Sequence, residues 1–258
     1  MRKLAVTVTA LFSINEYFEN SNDHEYARRM YAGGIERYTR RLKSIGFNGL
    51  GRVVDIGCGY GQWSIALSRM NGQVDSCDVA ENRVGFIQEL AKNIGIGNLS
   101  ASTYHLPKLP YPDNTFDGVL CYGVISRTPW KESLREIVRI LRPGGIFYVT
   151  TSDVGWYIYL WEKAHNKASG YDPKKIAADA FNSTLEYERT KIYDGVGPLI
   201  MTKNDVVEEL IGINCVDIRV AAEGSFSGEG RAVSDKFFIE EYCGLTAAYE
   251  VMAKKNIG

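Results

Sequence analysis

The run Val53-Val54-Asp55-Ile56-Gly57-Cys58-Gly59-Tyr60-Gly61 constrains the fold of this chain more than any other stretch. An apolar strand pattern reaches an acid, then breaks into glycines at alternate positions. Gln62-Trp63-Ser64-Ile65-Ala66-Leu67 follows and predicts a helix. Strand, glycine turn and helix together open a parallel α/β unit. Glycines in such a turn accept positive φ and let a ligand reach the main chain without meeting a Cβ. The free N–H groups at the helix start favour an anionic group on that ligand. The segment therefore predicts a pocket for a nucleoside-containing molecule.

The spacing G-x-G-x-G fits the dinucleotide fingerprint G-x-G-x-x-G imperfectly. Asp55 stands two residues before the first glycine. A carboxylate there repels a pyrophosphate but suits an ammonium- or sulfonium-bearing ligand. Further blocks follow in order: Val74-Asp75-Ser76-Cys77-Asp78-Val79; Leu106-Pro107 and then Tyr111-Pro112-Asp113-Asn114-Thr115-Phe116-Asp117-Gly118-Val119; and Leu134 to Gly145, closing on Arg142-Pro143-Gly144-Gly145. With these blocks the chain resembles the class I S-adenosylmethionine-dependent methyltransferases over roughly residues 52–151.

The resemblance implies a Rossmann-like, seven-stranded, mostly parallel sheet with helices on both faces. It implies S-adenosyl-L-methionine as cofactor and S-adenosyl-L-homocysteine as product. Asp55, Gly57, Cys58, Gly59 and Gly61 would surround the methionine part of the cofactor. Asp78 would accept from both ribose hydroxyls, and Val79 would lie against adenine. Relatives often carry an acid before the Leu-Pro pair; this chain has Ser102, Thr103 and Tyr104 there, so adenine recognition is expected from those side chains or from backbone. Cys121 and Tyr122 would meet the methionine end. Many relatives place a histidine just beyond, where this chain reads Val124-Ile125-Ser126-Arg127-Thr128.

Strand and helix patterns alternate through the core: strands at 52–56, 73–78, 99–103, 116–122 and 146–151, helices at 62–70, 80–93 and 131–140. Before them, residues 1–50 predict a helical preface, with one helix opening at Asn15–Phe18 and a longer one over His24–Leu42. Arg28, Arg29, Arg37, Arg40, Arg41 and Lys43 read as its solvated face. Residues 152–201 predict a helical cap inserted after the fifth strand, with helices at 156–168 and 174–190. Residues 202–258 complete a single domain: a helix N-capped by Thr202, a strand at 215–222, a Gly/Ser loop at 223–230, a helix at 233–242 and a last strand at 247–255, which the resemblance implies to be antiparallel.

The net charge of −1 offers no basic stripe, which argues against a nucleic-acid partner. Five cysteines without a C-x-x-C pair suggest neither a disulfide framework nor a metal site. The start, Met1 to Phe12, has a basic end and an apolar stretch diluted by threonines. No stretch is long enough to span a membrane, and the expected location is the cytoplasm.

Methyl transfer from a sulfonium needs alignment and exclusion of water more than activation. His105, His165, Tyr17, Tyr157 and Arg127 are open candidates for a catalytic role, with His105 beside the expected adenine pocket and a structural role the commoner one for a lone histidine, and none is singled out as a base. Most of the cap aromatics Trp156, Tyr157, Tyr159, Trp161 and Tyr171 are expected to pack the cap onto the core, and the alternative is that they close an apolar pocket over a small acceptor. The Gly224–Gly230 loop would serve as part of a lid. The leading expectation is a small-molecule methyltransferase. Methylation of RNA or protein, and cofactor binding without catalysis, stay open; a nicotinamide dehydrogenase fits least.

Overall fold

The computed structural model describes residues 17–18, 21–168, 170–226 and 236–258. Half of the first helix expected at Asn15–Phe18 falls outside these residues, as do the first twelve residues and half of the Gly/Ser loop. The described helices and strands are α1 (Ser21–Ala32), α2 (Glu36–Ser44), β1 (Arg52–Ile56), α3 (Gln62–Ser68), β2 (Gln73–Asp78), α4 (Glu81–Asn93), β3 (Leu99–Thr103) and β4 (Phe116–Tyr122). They continue through α5 (Trp130–Ile140), β5 (Leu141–Ser152), α6 (Val154–Lys163), α7 (Pro173–Thr190), α8 (Lys203–Gly212), β6 (Cys215–Ala222), β7 (Glu241–Tyr242), β8 (Leu245–Thr246) and β9 (Ala248–Lys255).

One seven-stranded sheet has the order β3-β2-β1-β4-β5-β9-β6. Strands β3 through β5 run parallel, and β9 pairs antiparallel with both β5 and β6. The parallel part is what the alternating strands and helices predict, and the seven-stranded sheet with its antiparallel last strand is what the resemblance implied. Because successive side chains in a strand point to opposite faces, each strand feeds two cores. Val53 and Leu120 face Phe86, Leu90 and the preface residues Tyr31, Tyr38 and Leu42. Val54, Val119 and Phe147 face Leu134, Ile137, Val206 and Leu210. The helices α6 and α7 share a smaller core of Tyr157, Leu160, Ala177, Ala180 and Ile200.

Four expectations change. The helix over His24–Leu42 is two, divided at Gly33-Gly34, where Gly34 takes φ +72. Left-handed backbone ends a helix, and glycine adopts it without strain. The first cap helix stops at Lys163, with Ala164 at φ 47, rather than reaching Ala168. β5 begins at Leu141, directly after α5, and absorbs Arg142-Pro143-Gly144-Gly145 as an irregularity in its pairing with β4. No helix forms over the described part of 233–242; Val233–Asp235 lie outside the described residues. Instead Glu223 accepts from the amides of Phe237 (2.8 Å) and Phe238 (3.4 Å), and Glu241–Tyr242 turns through Cys243-Gly244 into a hairpin. Both turn residues have positive φ (52° and 75°), the requirement of a two-residue hairpin.

The arginine-rich face of the preface also departs from expectation at one position. Arg41 is fully buried. Its guanidinium meets Glu250 at 2.8 Å and Glu223 at 2.9 Å, both carboxylates equally buried. Tyr148 donates to Glu250 (2.6 Å) and Tyr122 to Glu223 (2.8 Å). The amides of Gly224 and Phe226 also donate to Glu250.

Candidate functional site

The strand order reverses between β1 and β4, and in open α/β sheets the crevice outside such a point receives the ligand. The glycine turn lies there. The amides of Gly57 (2.7 Å) and Cys58 (3.0 Å) both donate to the Cys77 carbonyl, stitching the turn to β2. Gly57 has φ +72, and a Cβ on it would stand 2.3 Å from Val124 Cγ2, so the turn lies directly against the chain leaving β4. Gly59 has φ +54 and nothing within 4 Å of where its Cβ would be. Its bare backbone therefore faces open space, as a cradle for a ligand requires. Gly61 precedes α3 as its N-cap.

Asp78 closes the other side. One oxygen accepts from the Gly59 amide at 2.9 Å and the other from the Ala80 amide at 3.0 Å, with Arg83 Nη1 3.8 Å from that second oxygen. A carboxylate oxygen has two acceptor sites, so each keeps capacity for one hydroxyl donor. Next to it the apolar side chain of Val79 is 68% exposed. A glycine cradle, a fixed carboxylate and an uncovered apolar surface fit an adenosyl group.

Asp55 lies deeper. It is 1% exposed and accepts from Ser64 Oγ at 2.6 Å. Burial pushes its carboxyl up to about 7; the Ser64 hydrogen bond opposes this and the charge of Asp78 adds to it. Cys58 and Cys121 are buried, and burial raises both thiols. Thr103 pairs in register with Asp78 and Ser102 with Cys77, so both stand beside the end of β2. The Tyr104 amide donates to the Asp78 carbonyl (3.2 Å), and its ring meets Tyr111 edge-on. Tyr122 sits among Trp63, Tyr148 and Phe237.

The preface covers one flank of the turn. Phe18 packs on Tyr60 (5.4 Å between centroids), Phe86 (5.3 Å) and His24 (5.0 Å). Tyr31 donates to the Tyr60 carbonyl at 2.6 Å. The sequence marks these only as a helical stripe, so their place over the turn was not legible. The same holds for Glu223, which joins the far end of the site to Arg41.

Beyond β4 and β5 lies a cavity of about 130 Å³. Gly123, Thr150 and Ser152 form its floor, and Trp156, Tyr157 and Tyr171 its cap side. Arg127 and Glu223 also line it. The Gly123 amide donates to Thr150 Oγ1 at 2.8 Å, fixing the two strand ends together. His105 stands away from this cavity, its Nδ1 3.3 Å from the Leu106 carbonyl, and His165 shares a 3.0 Å hydrogen bond with Tyr159. Among the described residues no group of acids, histidines and cysteines is placed to hold a metal, and no helix is long and apolar enough to cross a membrane.

Residues 53–145 match a family model described as a methyltransferase domain. The ubiquinone/menaquinone biosynthesis C-methyltransferase UbiE of Escherichia fergusonii is 35% identical over 120 residues, 43% of this chain and 47% of that protein. The chain thus spans about half the length of that relative. Among solved structures, geranyl diphosphate methyltransferase in complex with SAM aligns with a TM-score of 0.60 at 16% identity, covering 96% of this chain and 94% of that one. The (4+2)-cyclase SpnF aligns with a TM-score of 0.57 at 20% identity, covering 87% and 81%. At such identities the structural likeness is one of fold.

Proposed function

We propose that this chain, whose residues 53–145 match a methyltransferase-domain model, is a class I S-adenosylmethionine-dependent methyltransferase that transfers the methyl group to a small-molecule acceptor seated under the helical cap. The observation that carries this reading is the open Gly59 backbone, tied at 2.9 Å to Asp78 and followed one strand further on by a capped cavity. In the proposal Asp78 accepts from the ribose, Val79 meets adenine, and Ser102, Thr103 and Tyr104 border the base. The turn from Gly57 to Gly61 and the ends of β4 at Cys121 and Tyr122 enclose the methionine part, with Asp55 and Cys58 supporting the turn from below. S-adenosylmethionine, when bound, supplies a methyl group on a sulfonium whose departure leaves a neutral thioether.

The protein's task is then to align the acceptor and keep water out. Glu223, the carboxylate that lines the cavity, already accepts from Arg41, Tyr122, Phe237 and Phe238. We therefore assign it to holding the cavity's shape rather than to removing a proton, and the acceptor brings its own nucleophile. A cavity of about 130 Å³ suits a small molecule better than a polymer. A reaction that draws on this cofactor would belong in the cytoplasm.

Isothermal titration with S-adenosylmethionine, S-adenosylhomocysteine and NAD tests the reading. Both sulfur nucleosides are expected to bind saturably and NAD not at all. Selective binding of NAD would overturn the assignment. A screen of cell metabolites for S-adenosylhomocysteine release then addresses the acceptor, with RNA as the contrasting substrate.

A further inference from the structure

Among the described residues, the cavity lining carries one cation, Arg127, that forms no ion pair. Arg127 ends a 3-10 turn, Ile125–Arg127, directly after β4. That turn is firmly held: the Arg127 amide donates to the Val124 carbonyl (2.8 Å) and the Leu199 amide to the Ser126 carbonyl (2.6 Å). Arg127, itself exposed, lines the cavity with Tyr157 and Tyr171, and its positive charge opposes the effect of burial on those two phenols and on that of Tyr193. No carboxylate of the described residues pairs with it. The acids that act on the same tyrosines are committed elsewhere: Asp153 accepts from Val154 (2.7 Å) and Lys203 (3.4 Å), and Asp194 from Val196 (2.9 Å). The buried carboxylate in the lining, Glu223, is paired with Arg41, which it shares with Glu250.

We propose that Arg127 anchors the carboxylate of a small, flat organic acid, and that this class of anion is the acceptor. A guanidinium presents a planar fork of donors that matches a carboxylate in two parallel hydrogen bonds. Tyr157 and Tyr171 supply neutral donors beside it, since burial raises both phenols above their ordinary value. The aromatic wall of Trp156 and Phe238 receives the body of the acid. This inference rests on the methyl-transfer reading for the word acceptor, but not for the binding itself.

The test is binding of matched pairs, each a carboxylic acid and its neutral amide: benzoate with benzamide, 4-hydroxybenzoate with 4-hydroxybenzamide, and cinnamate with cinnamamide. Affinities are measured by ligand-detected NMR, with and without saturating S-adenosylhomocysteine. At least one acid is expected to bind tenfold or more tightly than its amide. Arg127→Gln should remove that preference while leaving the amide's affinity unchanged, and Arg127→Lys should restore part of it. Binding of S-adenosylhomocysteine should be the same in all three proteins. If no acid exceeds its amide by threefold, or if Arg127→Gln leaves the acid's affinity intact, the anchor does not exist. Failure of S-adenosylhomocysteine to bind sinks the methyl-transfer reading alone, because the acid preference is read without it as well.

Discussion

Asp55 shows what a single side chain beneath the turn does to the behaviour of the fold. Its carboxyl ionises near 4 in an unfolded chain, while burial holds it at about 7 in the native protein. Between those values the native state binds a proton that the unfolded state has lost, so stability falls as pH rises from about 4 to 7. The loss amounts to about 4 kcal/mol, three pKa units at 1.36 kcal/mol each. Asp55→Asn, neutral and of the same shape, should flatten this dependence. Urea denaturation of both proteins at intervals from pH 4 to 8 checks it, and parallel curves would sink the idea. The sequence identifies Asp55 and Asp78 as acids of the site, one beside the methionine part and one on the ribose, but it does not show that Asp55 is buried. The difference lies in strand alternation: Asp55 shares the face of Val53, beneath α3 and Ser64, whereas Asp78 ends its strand and meets the turn's amides.

At the level of elements, the bolt between α2 and the far side of the sheet is the largest departure from a reading of the sequence. Tyr38, Arg41, Leu42 and Ile45 follow the helical period, so position 41 lies on the apolar stripe rather than on the arginine-rich face. Glu250 likewise interrupts a buried strand between Tyr249 and Val251. Each is legible as a charge in an apolar period; that they meet depends on two residues 209 apart in sequence, which no local pattern records. Removing one member of a buried ion pair leaves an uncompensated charge and costs about 3–5 kcal/mol. Arg41→Met should therefore lower stability by that amount in chemical denaturation. Adding Glu250→Gln should regain stability instead of losing more, because it discharges one stranded carboxylate. A further loss in the double variant would refute the account. The strands β1 to β4 were legible because glycines and prolines bound short apolar runs. The segment near Phe237 was not, since its extended path is set by Glu223 from fourteen residues away.

For the whole molecule, the two cores and the crevice between β1 and β4 are coupled through one sheet. A ligand that binds only the native state stabilises all of it, by about 2.7 kcal/mol at a hundredfold excess over its Kd. For a chain of this length that corresponds to a rise in Tm of roughly 5–10 °C. Scanning calorimetry with S-adenosylhomocysteine should show that rise as a shift of a single transition, and NAD should leave the transition in place; a split transition would mean that the cap and the sheet unfold apart. The parallel architecture was legible at this scale, because alternating strand and helix patterns admit few other arrangements. The strand order carries a consequence for how the protein is made. In the sheet β6 has β9 as its neighbour, yet β9 is the later of the two to leave the ribosome. Until Ala248–Lys255 emerges, Cys215–Ala222 has bare backbone donors and acceptors on the side where β9 belongs. The nascent chain thus carries an unsealed border until β9 follows β6 out of the ribosome, an interval in which chaperones or a neighbouring nascent chain would find it.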